Sequence, residues 1–265
     1  MPELALPPIP HIDDVPDTLR VLIVLGLTLF LVLLRLDAER FQAAEYDDID
    51  RWGRKPSLMR RLAWYILAIL MIFAAVAIHP DPDKQLFFGL GERLGAVILG
   101  LAYGALGVAL AVGIALFRYH RVRFPPVRSY PGHMLNAIVT AFIDEAIFRG
   151  FVFGFLITVG IEANLANLAQ AIIYALATRL GAKGRPWYML VMVLAIGLAG
   201  GWLTGITGGI GAAFLGHAIT RIAIFLTTGH AGIPKARGTE DEEVERRQAT
   251  PDGWQVLDPG EMGER

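Results

Sequence analysis

Apolar residues along this chain come in runs of about the length that crosses a bilayer, separated by shorter polar stretches. A membrane helix needs roughly 20 mostly apolar residues. Seven runs approach that length: Leu19–Leu36, Leu62–Ile78, Leu94–Phe117, Gly132–Val159, Ala163–Leu180, Trp187–Leu203 and Ile210–Thr228. Their period does not alternate as a strand would, so the pattern predicts an all-α, polytopic membrane helix bundle of about seven transmembrane helices. The fourth run is the longest and is expected to be tilted or broken.

Polar positions inside the runs mark where the bundle looks inward. On the fourth run, His133, Asn136, Thr140 and Asp144 recur at spacings of 3, 4 and 4, which is one helical face. Glu145 and Arg149 follow, four residues apart in the order that favours an ion pair. Such a pair is expected to leave Asp144 as the less committed acid. A charge inside a membrane costs roughly 2.5–3.5 kcal/mol on insertion scales, so this cluster points to a functional site or a neutralised interhelical clamp. The seventh run carries His217 and Arg221 on one face, and Asp144 is their expected acceptor. The sixth run places Gly197, Gly201 and Gly205 four apart, a face that lets helix backbones approach closely. Thr178, one turn after Tyr174 on the fifth run, has by itself only the expectation of a hydroxyl bonded back to its own helix.

Charge then orients the bundle. Lys and Arg crowd the segment between runs one and two (Arg35, Arg40, Arg51, Arg54, Lys55, Arg60, Arg61), recur after runs three, five and seven, and are absent from the fourth and sixth connections. The positive-inside rule puts the N-terminus outside and the C-terminus in the cytoplasm, as an odd number of crossings requires. Arg20, at a span end, is expected to snorkel. The charged segment after run one has room for an interfacial helix around Trp52.

The chain divides into a polar N-terminal segment (1–18), three N-terminal helices with a charged cytoplasmic loop (19–131), a four-helix core (132–230) and a polar tail (235–265) expected to be disordered. Composition agrees: 265 residues, 54% hydrophobic, mean hydropathy +0.49. A net charge of −1 gives no basic field for nucleic acid, and the lack of cysteine excludes thiolate chemistry and disulfides. No cofactor is expected. Zinc could be offered His133, His217 and Asp144, but the spacing of a zinc-hydrolase helix is missing. An ion path is a weaker reading, because no inverted repeat is visible.

Phe-Ile-Asp-Glu-Ala-Ile-Phe-Arg-Gly-Phe, from Phe142 to Phe151, resembles the Glu-Glu-x-x-x-Arg motif of the CPBP (CAAX protease and bacteriocin-processing, or Abi) family of intramembrane endopeptidases. The stretch from Gly197 to His217 is similar to that family's approach to its His-x-x-x-Asn motif. The resemblance covers about Gly132 to Thr228. It implies water activated by a carboxylate and a His, with a second His and an Asn stabilising the oxyanion. Carried over, Asp144 takes the base position, Glu145 the second acid and Arg149 the Arg. Tyr174 to Thr178 stands for Phe-x-x-x-His, with His217 and Arg221 in the oxyanion positions. Three positions depart from the pattern: Asp144 for Glu, Thr178 for His and Arg221 for Asn. The implied function is an endopeptidase of a multi-pass cell membrane, of prokaryotic cytoplasmic type, acting on membrane-tethered peptides or proteins. The alternative is a catalytically silent relative serving as an immunity, scaffold or partner-binding protein. An open cavity among Asp144, Thr178, His217 and Arg221 would favour chemistry; a closed Asp144–Arg221 pair would favour the silent relative.

Overall fold

The computed structural model describes residues 15–43, 57–119, 122, 131–180 and 187–228. Every regular element among them is helical. In chain order these are α1 (Asp17–Leu36), α2 (Leu58–Ile78), the short α3 (Pro82–Gln85), α4 (Arg93–Tyr119), α5 (Pro131–Glu145), a π-helical segment (Ala146–Val152), α6 (Phe153–Thr158), α7 (Ala163–Leu180), α8 (Trp187–Thr207) and α9 (Gly211–Thr228). The segment around Trp52 and the tail from 235 onward lie outside the described residues.

Four helical stretches among the described residues are long and apolar enough to cross a membrane: Asp17–Leu36, Leu58–Ile78, Arg93–Phe117 and Leu190–Thr207. Gly211–Thr227 is a shorter apolar helix. The other expected spans are helical too: α5 and α7 carry buried polar residues that lower their hydropathy, and α9 is apolar but shorter. Asn136, Thr140 and Asp144 lie on α5, Gln170 and Thr178 on α7, and His217 on α9. Exposure runs opposite to that of a water-soluble domain. Leu29 and Leu33 of α1 are 59% and 60% exposed, while charged Arg35 on the same helix is 3% exposed. An apolar exterior around buried charge is the pattern of a protein solvated by lipid, and the chain is a membrane protein.

Close helix contacts position the site. Gly100, Gly104 and Gly107 of α4 face Leu215, Ile219 and Thr220 of α9, and a Cβ at Gly104 would come within 2.7 Å of Ile219 Cδ1. This side of α4 therefore admits α9 only because it lacks side chains. Gly197 of α8 lies against Ala171 and Tyr174 of α7. The close backbone approach expected of the α8 glycines is thus made against α7. Beyond these contacts α8 continues to Thr207, and the chain reverses through Gly208, whose φ of +71° suits glycine. That reversal pairs with the segment after α3, through Glu92 N–H to the Thr207 carbonyl (2.8 Å) and Ile210 N–H to the Phe87 carbonyl (3.1 Å). Phe88 from the same segment stacks on Phe151 and lies edge-on to Phe142.

At the α1–α2 contact, Trp64 Nε1 donates to the Leu34 carbonyl at 2.9 Å. Arg20 does more than snorkel: its Nε donates to the Ile78 carbonyl at 2.7 Å, binding an end of α2 that has spare acceptors.

Candidate functional site: a buried ionisable cluster

The polar stripe of α5 faces the bundle interior. His133, Asn136, Thr140 and Asp144 are all buried. His133 stacks on Phe225 of α9, with ring centroids 4.2 Å apart. Asn136 accepts from the Tyr65 hydroxyl of α2. Thr140 donates to the Asn136 carbonyl at 2.6 Å and accepts from Arg221 Nη1 at 2.7 Å.

Immediately after Glu145 the helix widens into the π segment, and Phe153 N–H reaches back five residues to the Phe148 carbonyl. Single π turns inside α-helices are frequent at functional sites. Here the segment carries Arg149 to a pocket between the Tyr174 ring, 4.2 Å from its guanidinium carbon, and the bare backbone of Gly200. A Cβ at Gly200 would sit 3.0 Å from Arg149 Nε. The guanidinium is sandwiched, with a cation–π contact on the α7 side.

Asp144 is held from two sides. Arg35 Nε donates to Oδ1 at 2.6 Å and Arg35 Nη2 to Oδ2 at 3.4 Å, while Arg221 Nη2 donates to Oδ2 at 2.5 Å. Asp144 and Arg35 are buried, and Arg221 is largely so. The expectation that Asp144 would be the less committed acid is therefore corrected. The cause is Arg35. It stands at the end of an apolar run and was assigned to the loop, but it turns inward from the last turn of α1. Both carboxylate oxygens are engaged by cations, so Asp144 is a counter-ion shared by Arg35 and Arg221.

Glu145 has the freer carboxylate. Its Oε1 lies 2.6 Å from His217 Nδ1 and 3.2 Å from Arg149 Nη1. Its Oε2 is buried with no hydrogen-bond partner among the described residues. The Glu145–Arg149 pair is present as its i,i+4 spacing predicted. It is an ion pair without hydrogen-bond alignment, since Arg149 Nη1 and Nε are also buried without hydrogen-bond partners among the described residues. Arg149 Nη2 donates to the Ile196 carbonyl at 3.3 Å.

His217 joins the two acids. A carboxylate facing Nδ1 places the ring proton there, which leaves the Nε2 lone pair as an acceptor. Arg221 Nε donates to that Nε2 at 3.0 Å, and the Tyr174 hydroxyl lies 3.4 Å from it. A chain of ionisable groups results: Arg35, Asp144, Arg221, His217, Glu145, Arg149. It links α1, α5, the π segment and α9 in one buried cluster. The pair-by-pair contacts lower the cost of each charge, which alone would be prohibitive in such surroundings.

Five of the six candidate residues read from sequence thus converge: Asp144, Glu145, Arg149, His217 and Arg221. Thr178 is not tied to them by a hydrogen bond. It is buried, and its Oγ1 has no hydrogen-bond partner among the described residues. Thr28, Thr140, Thr204, Thr220 and Thr227 all bond back to the carbonyl four residues earlier. Thr178 lacks the bond expected of it. Arg35 is the residue that sequence reasoning missed. Its only signal was position, a basic residue one place inside the end of an apolar run.

The acid and imidazole atoms that could bind a metal are largely engaged with one another and with arginines. Among the described residues no group of three or more His, Asp or Glu side chains is arranged to hold a metal ion. Among the described residues the cluster keeps donors without hydrogen-bond partners at Arg149 Nε and Nη1 and an acceptor without one at Glu145 Oε2, where a proton can be taken up.

No curated protein and no solved structure matches the chain. Residues 126–223, which take in α5 through α8 and the part of α9 that bears His217 and Arg221, match the family model of type II CAAX prenyl endopeptidase Rce1-like proteins, so that the likeness to the CPBP family holds over this stretch, rather more than a third of the chain.

Proposed function

We propose that the chain is an intramembrane endopeptidase in which Glu145, rather than Asp144, handles the proton. The supporting observation is the buried Glu145 carboxylate, with one oxygen on His217 and the other without a hydrogen-bond partner among the described residues. In a low-dielectric site an uncompensated carboxylate oxygen is a strong acceptor, and a water beside it is poised for deprotonation. In this scheme Glu145 Oε2 takes a proton from water, and the hydroxide oxygen adds to the scissile carbonyl carbon. The carbonyl oxygen gains negative charge beside the guanidiniums of Arg149 and Arg221. Collapse breaks the C–N bond, and Glu145 returns the proton to the departing amine. His217 holds Glu145 by Nδ1–H, and its Nε2 becomes available when Arg221 Nε turns towards the substrate.

Asp144 anchors Arg221 and Arg35 in this reading. Asp144 for Glu and Arg221 for Asn then form a matched exchange, a shorter acid reaching a longer base. Substrates are membrane-tethered peptides or proteins in a prokaryotic cytoplasmic membrane, with seven crossings and a cytoplasmic C-terminus. The test is cleavage of a panel of membrane-tethered peptides, prenylated and unprenylated, by the full chain in liposomes. Wild-type protein cleaves a member of the panel, and His217→Gln lowers the rate per folded molecule. Cleavage that is indifferent to His217→Gln would refute the assignment.

A second reading is favoured by a specific observation. The Arg35–Asp144–Arg221 clamp is closed, and Thr178 offers no proton acceptor where the family pattern has His. A catalytically silent membrane protein that binds a partner would keep such a cluster for register. It predicts no cleavage of any panel member, and unfolding of the protein by Arg221→Ala.

A further inference from the structure

Arg35 lies on α1, outside the stretch that resembles the endopeptidase family. It nonetheless makes a two-point contact with the carboxylate that holds Arg221. We infer that Arg35 is a positioning residue for His217, acting through Asp144 and Arg221.

The argument is one of donors and acceptors. Arg221 spends its guanidinium in three directions: Nε on His217 Nε2, Nη1 on Thr140 Oγ1 and Nη2 on Asp144 Oδ2. A planar fork facing a carboxylate prefers two parallel bonds, using two of its nitrogens on the two oxygens. Arg221 does not do this, because Arg35 Nε occupies Oδ1 at 2.6 Å. Arg35 thus limits Arg221 to one oxygen and leaves its Nε for the imidazole. Without Arg35, Oδ1 is a buried anionic acceptor lacking its shortest donor, and Arg221 is the cation beside it. Turning Arg221 side-on, with Nε and Nη2 on the two oxygens, removes Nε from His217 Nε2. The first helix therefore sets whether the imidazole lone pair is covered, while contributing nothing that touches the imidazole. The inference concerns the site of the proposed hydrolysis but needs only its geometry, so its test stands apart from the peptide assay.

The test reads the imidazole directly. The full chain is prepared in detergent micelles with ¹⁵N-labelled histidine, and the His217 resonances are identified by their loss in His217→Gln. Arg35→Gln moves the Nε2 resonance towards that of a ring nitrogen without a hydrogen bond, while Nδ1 stays protonated. In an Arg221→Lys background, which lacks the Nε donor, Arg35→Gln produces no further movement. Should Arg35→Gln fail to fold, Arg35→Lys makes the same comparison. A lysine is a one-point donor and gives a smaller movement in the same direction, again absent with Arg221→Lys. An unmoved Nε2 resonance in a folded Arg35 variant overturns the inference, even if the variant melts earlier, because Arg35 is then only a tie between helices. Equal movement in both backgrounds also overturns it, because the effect does not then pass through Arg221.

Discussion

Replacing Asp144 by Asn keeps the shape of the side chain and removes its charge. Two buried guanidiniums, those of Arg35 and Arg221, then lose their common counter-ion. One carboxylate oxygen becomes an NH₂ group that meets donors. Removing one partner of a buried ion pair costs about 3–5 kcal/mol, because the remaining charge stays buried and uncompensated. Two stranded cations do not double that figure. Arg221 keeps Thr140 and His217 as acceptors, and Arg35, in the last turn of α1, is placed to extend towards the helix end. The expected loss for Asp144→Asn is therefore about 3–5 kcal/mol. Arg35→Gln should cost roughly 1.5–3 kcal/mol, the worth of a charged hydrogen bond, because Arg221 still neutralises Asp144. The double variant should cost less than the two single losses added, since Arg35 and Asp144 strand each other. Unfolding in mixed micelles of rising SDS fraction, followed by loss of helical circular dichroism, measures all three. A loss below about 1 kcal/mol for Asp144→Asn, the range of a surface pair, would refute the view of Asp144 as joint counter-ion.

Other consequences follow from neighbouring contacts. Gly200→Ala puts a Cβ 3.0 Å from Arg149 Nε, and Arg149 cannot retreat because Tyr174 lies on its other face, so the same denaturation assay should show a loss of about 1–3 kcal/mol. Thr178→Val removes a buried hydroxyl that has no hydrogen-bond partner among the described residues, at nearly constant volume, and should raise stability by about 1 kcal/mol, the reverse of the usual result for a core hydroxyl. At the start of α7, Glu162 accepts from the backbone N–H groups of Asn164 and Leu165, which hold its carboxyl below the ordinary carboxylate range. A lowered folded pKa gives stability that is complete above the unfolded value, about 4.3, and is lost as pH falls through the folded one. The stability difference between wild type and Glu162→Gln should therefore be constant from pH 6 to about 5 and shrink below about pH 4; a difference that grows on acidification would contradict the capping role.

Helix positions and the convergence of the site were legible because both rest on periodicity. The 3, 4, 4 spacing from His133 to Asp144 defines a face whatever packs on it, and a polar face inside a membrane must find partners. The i,i+4 pairs Glu145–Arg149 and His217–Arg221 are properties of one helix each, and both are found in contact. What could not be read depends on which helix lies beside which. Hydropathy places Arg35 within one turn of the end of α1 but does not say which way it turns. Its inward direction comes from the packing of α1 on the core, and it makes Asp144 the more engaged of the two adjacent acids. The π segment is equally silent in sequence, because Ala146 to Val152 has the composition of any apolar helix. The bare hydroxyl of Thr178 is a fourth-residue bond that fails to form, which residue identity cannot reveal.

The central claim is that of the two neighbouring acids Glu145 works and Asp144 only balances charge. The cleavage rate of Glu145→Gln on a membrane-tethered peptide, taken per folded molecule against wild type in liposomes, tests it most directly. Gln can still accept from His217 Nδ1 but cannot take a proton from water, so the account predicts a loss of about 10²–10⁴-fold, the usual contribution of a general base. A Glu145→Gln protein that cleaves at the wild-type rate would contradict it.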